Sequence, residues 1–197
     1  MKNKDSTIIK FLIEHKKEEL NILNVSKALK MDYKNTYSII KRLEKASLVK
    51  IETFGKTCRI KLNMQLNPLI FEAEFERRKD ILKDKNFVVM LSNFKRAIKS
   101  KFYIILLFGS YAKKTQTKNS DIDLIFICPD GLEDAFEEEV DNAARLMPLP
   151  LHNLVFSEKQ FTQMMDAKEL TVGKEAFKDN VILYGIEQYY EMIQNDR

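Results

Sequence analysis

Two apolar runs joined by a short polar loop constrain this chain more than anything else in it. Residues 102–108 are continuously apolar and end at Gly109-Ser110. Ten residues later Asp121-Ile122-Asp123 opens a second run that stays apolar to Cys128. Such runs, bounded by turn residues, read as buried strands over 102–108 and 121–128. Glycine at the end of the first strand lets the backbone approach a ligand closely, because it has no Cβ to clash. Ser110 adds a hydroxyl, and the backbone amides beyond it can cradle phosphate oxygens. Side chains alternate along a strand, so Asp121 and Asp123 project from one face, roughly 6–7 Å apart. Two carboxylates in that relation can bridge magnesium ions about 3.5–4 Å apart, the spacing used for in-line phosphoryl displacement. Magnesium accepts such an oxygen-rich setting and shares its coordination with substrate phosphates.

A lone Asp-x-Asp is often only a solvated strand edge; the full string says more. An apolar strand, Gly-Ser, ten residues, Asp-x-Asp and a second apolar strand together resemble the nucleotidyltransferase fold of the DNA polymerase beta superfamily. The likeness is to the minimal nucleotidyltransferases in particular and runs from about residue 87 to the end of the chain. The resemblance implies that Gly109, Ser110 and Ser120 bind the nucleotide, while Asp121 and Asp123 are the catalytic carboxylates and hold Mg2+. It implies transfer of a nucleoside monophosphate, AMP from ATP or the equivalent from another nucleoside triphosphate, to a protein or other hydroxyl acceptor, with pyrophosphate leaving. Related minimal nucleotidyltransferases act as antitoxins, which makes a toxin-like protein an expected partner.

The chain departs from that family pattern at two places. Family members commonly carry glycine where Lys114 stands; a lysine there crowds the turn, and it either contacts phosphate or is a solvated loop residue. Active members also carry a third acid on a later strand. Here a helix over 131–147, with Leu132, Phe136, Val140 and Ala143 as its buried side, leads through Pro148-Leu149-Pro150 to a strand over 151–156. The third acid falls at His152 or Asn153, and neither is a carboxylate. Asn153 can ligate a metal weakly through its carbonyl, and His152 can accept a proton. The plainer reading is that both simply end a strand near the cleft.

The first third has a different character. Residues 1–65 carry 15 Lys/Arg against 7 Asp/Glu, a net +8, whereas residues 66–197 sum to −4. A basic front suits phosphate backbones. Residues 6–16 read as a helix capped by Ser6, 20–23 as an extended piece, 24–30 as a second helix and 33–46 as a third with Tyr37, Ile40 and Leu43 inward. Residues 48–52 and 57–62 alternate as a hairpin around Phe54-Gly55-Lys56. With Asp32-Tyr33-Lys34-Asn35-Thr36-Tyr37 and Lys41-Arg42-Leu43-Glu44, this order resembles a winged helix-turn-helix. The resemblance implies that the third helix enters the major groove of double-stranded DNA and the hairpin reaches the adjacent backbone. Lys34, Asn35, Ser38, Lys41 and Arg42 on the helix, with Lys56 and Arg59 on the hairpin, are then the DNA-binding candidates. Arginine and asparagine suit base edges and the lysines suit phosphates. The plainer alternative is a solvated face on a protein-binding module.

The whole therefore reads as α+β: a winged helix-turn-helix over 1–66, a helical connector over 67–86 and a nucleotidyltransferase-like domain over 87–197. The connector is either a spacer or a homodimer contact. A helix over 87–99 buries Phe87, Leu91, Phe94 and Ile98, and Ser157-Glu158-Lys159-Gln160 is a capping box. Tyr189 and Tyr190 read as packing residues. No apolar run approaches a membrane span, and the expected setting is cytoplasmic. Cys58 and Cys128 are too few for a disulfide framework, and His15 and His152 too few for a histidine-rich metal centre. Two functions remain open: the transferase, or a catalytically degenerate transcriptional regulator that binds nucleotide or a partner protein.

Overall fold

The computed structural model describes residues 3–54 and 57–195. The chain divides into two compact units, Met1–Glu76 and Arg77–Arg197.

The first unit comprises α1 (Lys4–Glu14), α2 (Ile22–Ala28), α3 (Tyr33–Lys45), β1 (Val49–Phe54) and β2 (Thr57–Leu62). Asn3, not Ser6, caps α1: its side chain accepts from the Asp5 N–H, while Ser6 is buried one turn in. α2 begins two residues before the expected start, because Asn21 and Asn24 close a reciprocal capping box at 2.8 and 3.0 Å. That shortens the extended piece to its beginning, where the Leu20 carbonyl accepts from Ile60 N–H at 2.8 Å and adds a rung beside β2. Asp32 caps α3 by accepting from the Asn35 N–H at 3.0 Å. The buried stripe of α3 is Thr36, Ile39, Ile40 and Leu43. Tyr37 lies outside it and is 44% exposed, since its position is roughly 110° around the helix from the middle of that stripe. β1 and β2 pair antiparallel from Val49↔Leu62 to Phe54↔Thr57. Gly55 and Lys56, at the tip of that hairpin, lie outside the described residues. The element order is winged-helix-like.

Asn67-Pro68 starts a helix as well as ending the hairpin: Asn67 accepts from the Leu69 N–H at 2.9 Å, with proline at the first helical position of α4 (Pro68–Ile81). The charges of α4 are not uniformly solvated, for Glu74 and Arg77 are buried. Arg77 donates to the Asn180 carbonyl in the second unit, which its own residue belongs to.

The second unit is built on a four-stranded sheet in the order β5-β4-β3-β6, formed by β3 (Ile104–Leu107), β4 (Ile122–Cys128), β5 (Leu151–Ser157) and β6 (Val181–Tyr184). β3 runs antiparallel to both β4 and β6, while β4 and β5 are parallel, so the sheet is mixed and the fold α+β. β3 is shorter than the apolar run that announced it, and Phe102 is left 67% exposed. Its helices are α5 (Lys85–Ala97), α6 (Gly109–Ala112), α7 (Glu133–Ala144), α8 (Glu158–Asp166), α9 (Val172–Lys178) and α10 (Ile186–Asn195). Phe87, Met90 and Phe94 of α5 and Phe136 and Val140 of α7 pack with Ile105, Leu107, Leu124 and Phe126 of the sheet. The Phe94 and Phe126 rings meet edge-on at 4.9 Å. Each such side chain contributes on the order of 1.5–3 kcal/mol by leaving water, so the central strands are the rigid floor of the unit. Leu132 is not in this core; it precedes α7 and is 47% exposed. Ile104, Leu106, Ile125 and Ile127 are equally buried, and alternation sends them to the opposite face of the sheet. Burial pushes the Cys128 thiol up to about 11, as befits a core side chain. Ser157 and Gln160 form their capping box at 3.0 and 3.3 Å, and Tyr189 and Tyr190 are both buried.

Candidate functional site

The site is assembled where β3 ends. Phe108 N–H donates to the Asp123 carbonyl at 3.0 Å, extending the β3–β4 ladder by one residue. The chain then turns at Gly109, whose φ is +65°. That conformation favours glycine, and space requires it independently: a Cβ there would overlap Asp123 Oδ2 and lie 3.0 Å from Asp123 Cγ. The Asp123 carboxylate occupies the room that any other side chain at 109 would take. Ser110 follows, half-buried, in the single-turn helix α6. The turn closes through Lys114 at φ +58°, with Thr115 N–H donating to the Ser110 carbonyl at 2.9 Å. Lys114 thus takes the left-handed conformation in which a helix end usually holds glycine. Lys113 ties the loop to α9 through Glu175 at 2.8 Å.

Asp123 also faces the neighbouring strand. The parallel register sets Asp123 beside His152 and Leu124 beside Asn153. His152 Nδ1 lies 3.1 Å from Asp123 Oδ1, and the imidazole is more than half exposed. Of His152 and Asn153, His152 is therefore the one that meets the carboxylate. Asn153 has the parity of Leu151 and Val155, which pack against the α5–α7 core, so it points away from Asp123. Its Oδ1 is buried without a hydrogen-bond partner among the described residues. Asp121 immediately precedes β4, is exposed, and makes no side-chain hydrogen bond or ion pair among the described residues. Ser120 braces its own loop, its Oγ accepting from the Thr117 N–H at 2.9 Å. Direct contacts thus unite Gly109, Asp123 and His152; Ser110 and Asp121 adjoin them in sequence, and Ser120 is engaged elsewhere. The Asp123–His152 contact could not be read from the sequence, because it depends on a strand register that no local pattern encodes.

On the winged-helix-like unit, the expected DNA-binding residues divide into two groups. Lys34 and Ser38 are exposed, and Asn35 is half-buried beside its cap. Lys41, Arg42 and Arg59 have carboxylate partners. Arg42 meets Asp5 through two bonds at 3.1 and 2.5 Å, Lys41 meets Glu44 at 2.8 Å, and Arg59 meets Glu19 at 3.0 Å. Hydrogen bonding to these acids raises the Lys41 and Arg42 pKa values further. Lys56 lies outside the described residues. Two residues not among the candidates share this face: Tyr33 and Tyr37, 48% and 44% exposed, with ring centroids 6.4 Å apart. Their four-residue spacing, off the Ile39-Ile40-Leu43 stripe, was the available signal.

Residues 92–189 match the model of the family described as polymerase beta, nucleotidyltransferase. Over that segment, just under half of its length, the chain is similar to the nucleotidyltransferases of that family. No curated protein matches the chain. Among solved structures, one similar chain is MepR, a transcription regulator of the Staphylococcus aureus multidrug efflux pump MepA. It is 17% identical with a TM-score of 0.34, over 49% of this chain and 76% of that one. The MepR–DNA complex gives the same values. A toxin–antitoxin structure with AMP-PNP is 21% identical with a TM-score of 0.38, over 57% of this chain and 82% of that one. Likenesses this distant carry no functional argument, so the family match and the geometry bear the weight. No described helix is long and apolar enough to cross a membrane.

The nucleotidyltransferase domain implies a divalent metal, and the donors present decide how well one fits. Among the described residues, no three His, Cys, Asp or Glu side chains gather to hold an ion. The donors available are the carboxylates of Asp121 and Asp123, the latter hydrogen-bonded to His152. Magnesium is commonly held by one or two carboxylates with substrate phosphates supplying further oxygens. The donor set suits an ion that arrives with a triphosphate, and does not suit a cage made by the protein alone.

Proposed function

We propose that this protein is a metal-dependent nucleotidyltransferase that moves a nucleoside monophosphate, AMP from ATP, onto a hydroxyl of an acceptor, with a partner protein of toxin-like character as the expected acceptor. The observation that carries this reading is the interlock of Gly109 with Asp123, in which the turn after β3 lies directly against a carboxylate. Ser110 and the amides of the turn bind the triphosphate, and glycine at 109 leaves the room beside the turn to the Asp123 carboxylate. Asp121 and Asp123 are the residues that would hold Mg2+, which when bound offsets the charge of the triphosphate. Gly109 and His152 fix the Asp123 carboxylate between them, so its oxygens need little reorganisation when nucleotide arrives. The test is incubation with ATP labelled at the α-phosphate, Mg2+ and candidate partner proteins. Label should appear on the acceptor and fall by about 100-fold or more in Asp121→Ala and Asp123→Ala, the scale of losing a principal electrostatic group. Transfer unchanged in both variants rejects the assignment.

A second reading is favoured by the +8 of residues 1–65 and by the exposed Lys34–Tyr37–Ser38 face. In it, residues 1–66 bind double-stranded DNA and the nucleotidyltransferase domain senses nucleotide without turnover. ATP binding by calorimetry, with no label transferred to any partner, selects this reading over the first.

A further inference from the structure

Building on the reading of this site as a triphosphate site, we propose that Asp123 and His152 form a two-donor seat for a first-row transition-metal dication in preference to Mg2+, with Mn2+ as the paramagnetic ion that reports it. The spacing fits a coordination edge. Two donors on adjacent corners of an octahedron with bonds of about 2.1 Å stand about 3.0 Å apart. His152 Nδ1 and Asp123 Oδ1 are 3.1 Å apart, so the spacing of one coordination edge is already present, and a turn of the exposed imidazole aims Nδ1 at a shared ion.

The pair is held by the backbone. Asp123 and His152 are register partners on parallel strands, and the other carboxylate oxygen of Asp123 sits against Gly109. His152 is 57% exposed, which leaves the ion reachable from solvent and from a bound triphosphate. With the metal absent, Nδ1–H donates to the carboxylate; ligation through Nδ1 requires that the ring proton stand on Nε2.

Donor chemistry then sets the preference. Magnesium takes oxygen donors almost to the exclusion of nitrogen, whereas imidazole suits zinc, copper, iron and nickel, with Mn2+ at the weak end of the first-row series. Placing imidazole where the family carries a carboxylate removes one negative charge and one hard oxygen. Both changes weaken Mg2+ more than Mn2+. Even with Asp121 beside the pair, the protein donors are too few to retain an ion alone, and the triphosphate supplies the remaining oxygens.

The experiment uses the full-length protein with Mn2+ and inorganic tripolyphosphate, a probe that contains no nitrogen. Pulsed electron paramagnetic resonance should show coupling of bound Mn2+ to an imidazole nitrogen. The coupling should vanish in His152→Asp and His152→Ala, both checked for native folding by circular dichroism. It should persist in His15→Ala, the only other histidine in the chain. Competition should give Mn2+ at least a tenfold advantage over Mg2+ in the wild type, shrinking by tenfold or more in His152→Asp. Mn2+ bound without nitrogen coupling, or an unchanged preference in His152→Asp, overturns the proposal. ATP binding is measured separately by calorimetry. If ATP does not bind, the nucleotide reading fails, and the metal seat is judged on Mn2+ with tripolyphosphate, where absence of nitrogen coupling overturns it as well.

Discussion

The two polar surfaces of this protein hold their charge in opposite ways. On the α3 face the cations are largely closed on the unit's own acids: Arg42 on Asp5, Lys41 on Glu44, Arg59 on Glu19. At the end of β3 the acids are left for something else, since Asp121 is exposed and Asp123 meets only an exchangeable histidine. The first surface is arranged by long side chains whose exposed pairings are weak and screened by salt. The second is arranged by backbone, through a left-handed glycine and a strand register. The net charge of +8 already discounts those pairs, so what the basic unit offers to phosphate rests on its other cations, while two acidic residues understate the definition of the other site.

The largest test of that contrast is Gly109→Ala. An alanine in the left-handed conformation costs about 1–2 kcal/mol, and its Cβ must displace the Asp123 carboxylate. Urea denaturation should show a loss at least that large, and binding of a nonhydrolysable ATP analogue should fall below detection. A stable variant with full nucleotide affinity breaks the claim that backbone defines this site.

On the basic face the expected effects are smaller and run in two directions. Lys34 is exposed and has no acidic partner among the described residues, so Lys34→Ala should weaken DNA binding about three- to tenfold and lower the slope of log affinity against log salt by about 1. Asp5→Asn releases Arg42 and should tighten DNA binding a few-fold, against a modest loss of α1 stability, since Asp5 also sits in the first turn of that helix. Fluorescence anisotropy across a salt series measures both. Equal effects from Lys34→Ala and Arg42→Ala, with none from Asp5→Asn, would mean that the internal ion pairs do not restrain this surface.

Much of this architecture was legible because the relevant signals are local. Gly109 at the end of an apolar run, the Asp-x-Asp pair, the capping boxes and the hairpin spacing all act within a few residues, and the elements formed close to their expected limits. What failed to show depended on distance along the chain. Tyr37 seemed inward because it lies three residues from Ile40, but Thr36 and Ile39 take the inner face instead. Arg42 seemed available because Asp5 lies 37 residues away. The choice between His152 and Asn153 required the β4–β5 register, since a one-residue shift exchanges the two faces of a strand. The sequence placed both at the right strand and could not say which side each would take.

Lys114 brings the comparison to a single residue, because here the backbone-defined site carries a residue that its backbone disfavours. At φ +58° a lysine bears a strain that glycine does not, about 1–2 kcal/mol for an L-residue in this region. Replacing it with glycine relieves the strain but frees the unfolded chain, which offsets roughly 0.5–1 kcal/mol of the gain. Lys114→Gly should therefore stabilise the domain by about 0.5–1 kcal/mol, one of the few substitutions here expected to raise the urea midpoint. Because the Thr115 N–H bond to the Ser110 carbonyl is made by backbone alone, the turn should survive the change and ATP-analogue affinity should stay within a few-fold of the wild type. A variant that is more stable yet loses more than tenfold in nucleotide affinity would show that the lysine side chain is retained for the phosphates. A variant that is less stable would show that the side chain's own contacts outweigh the strain at position 114.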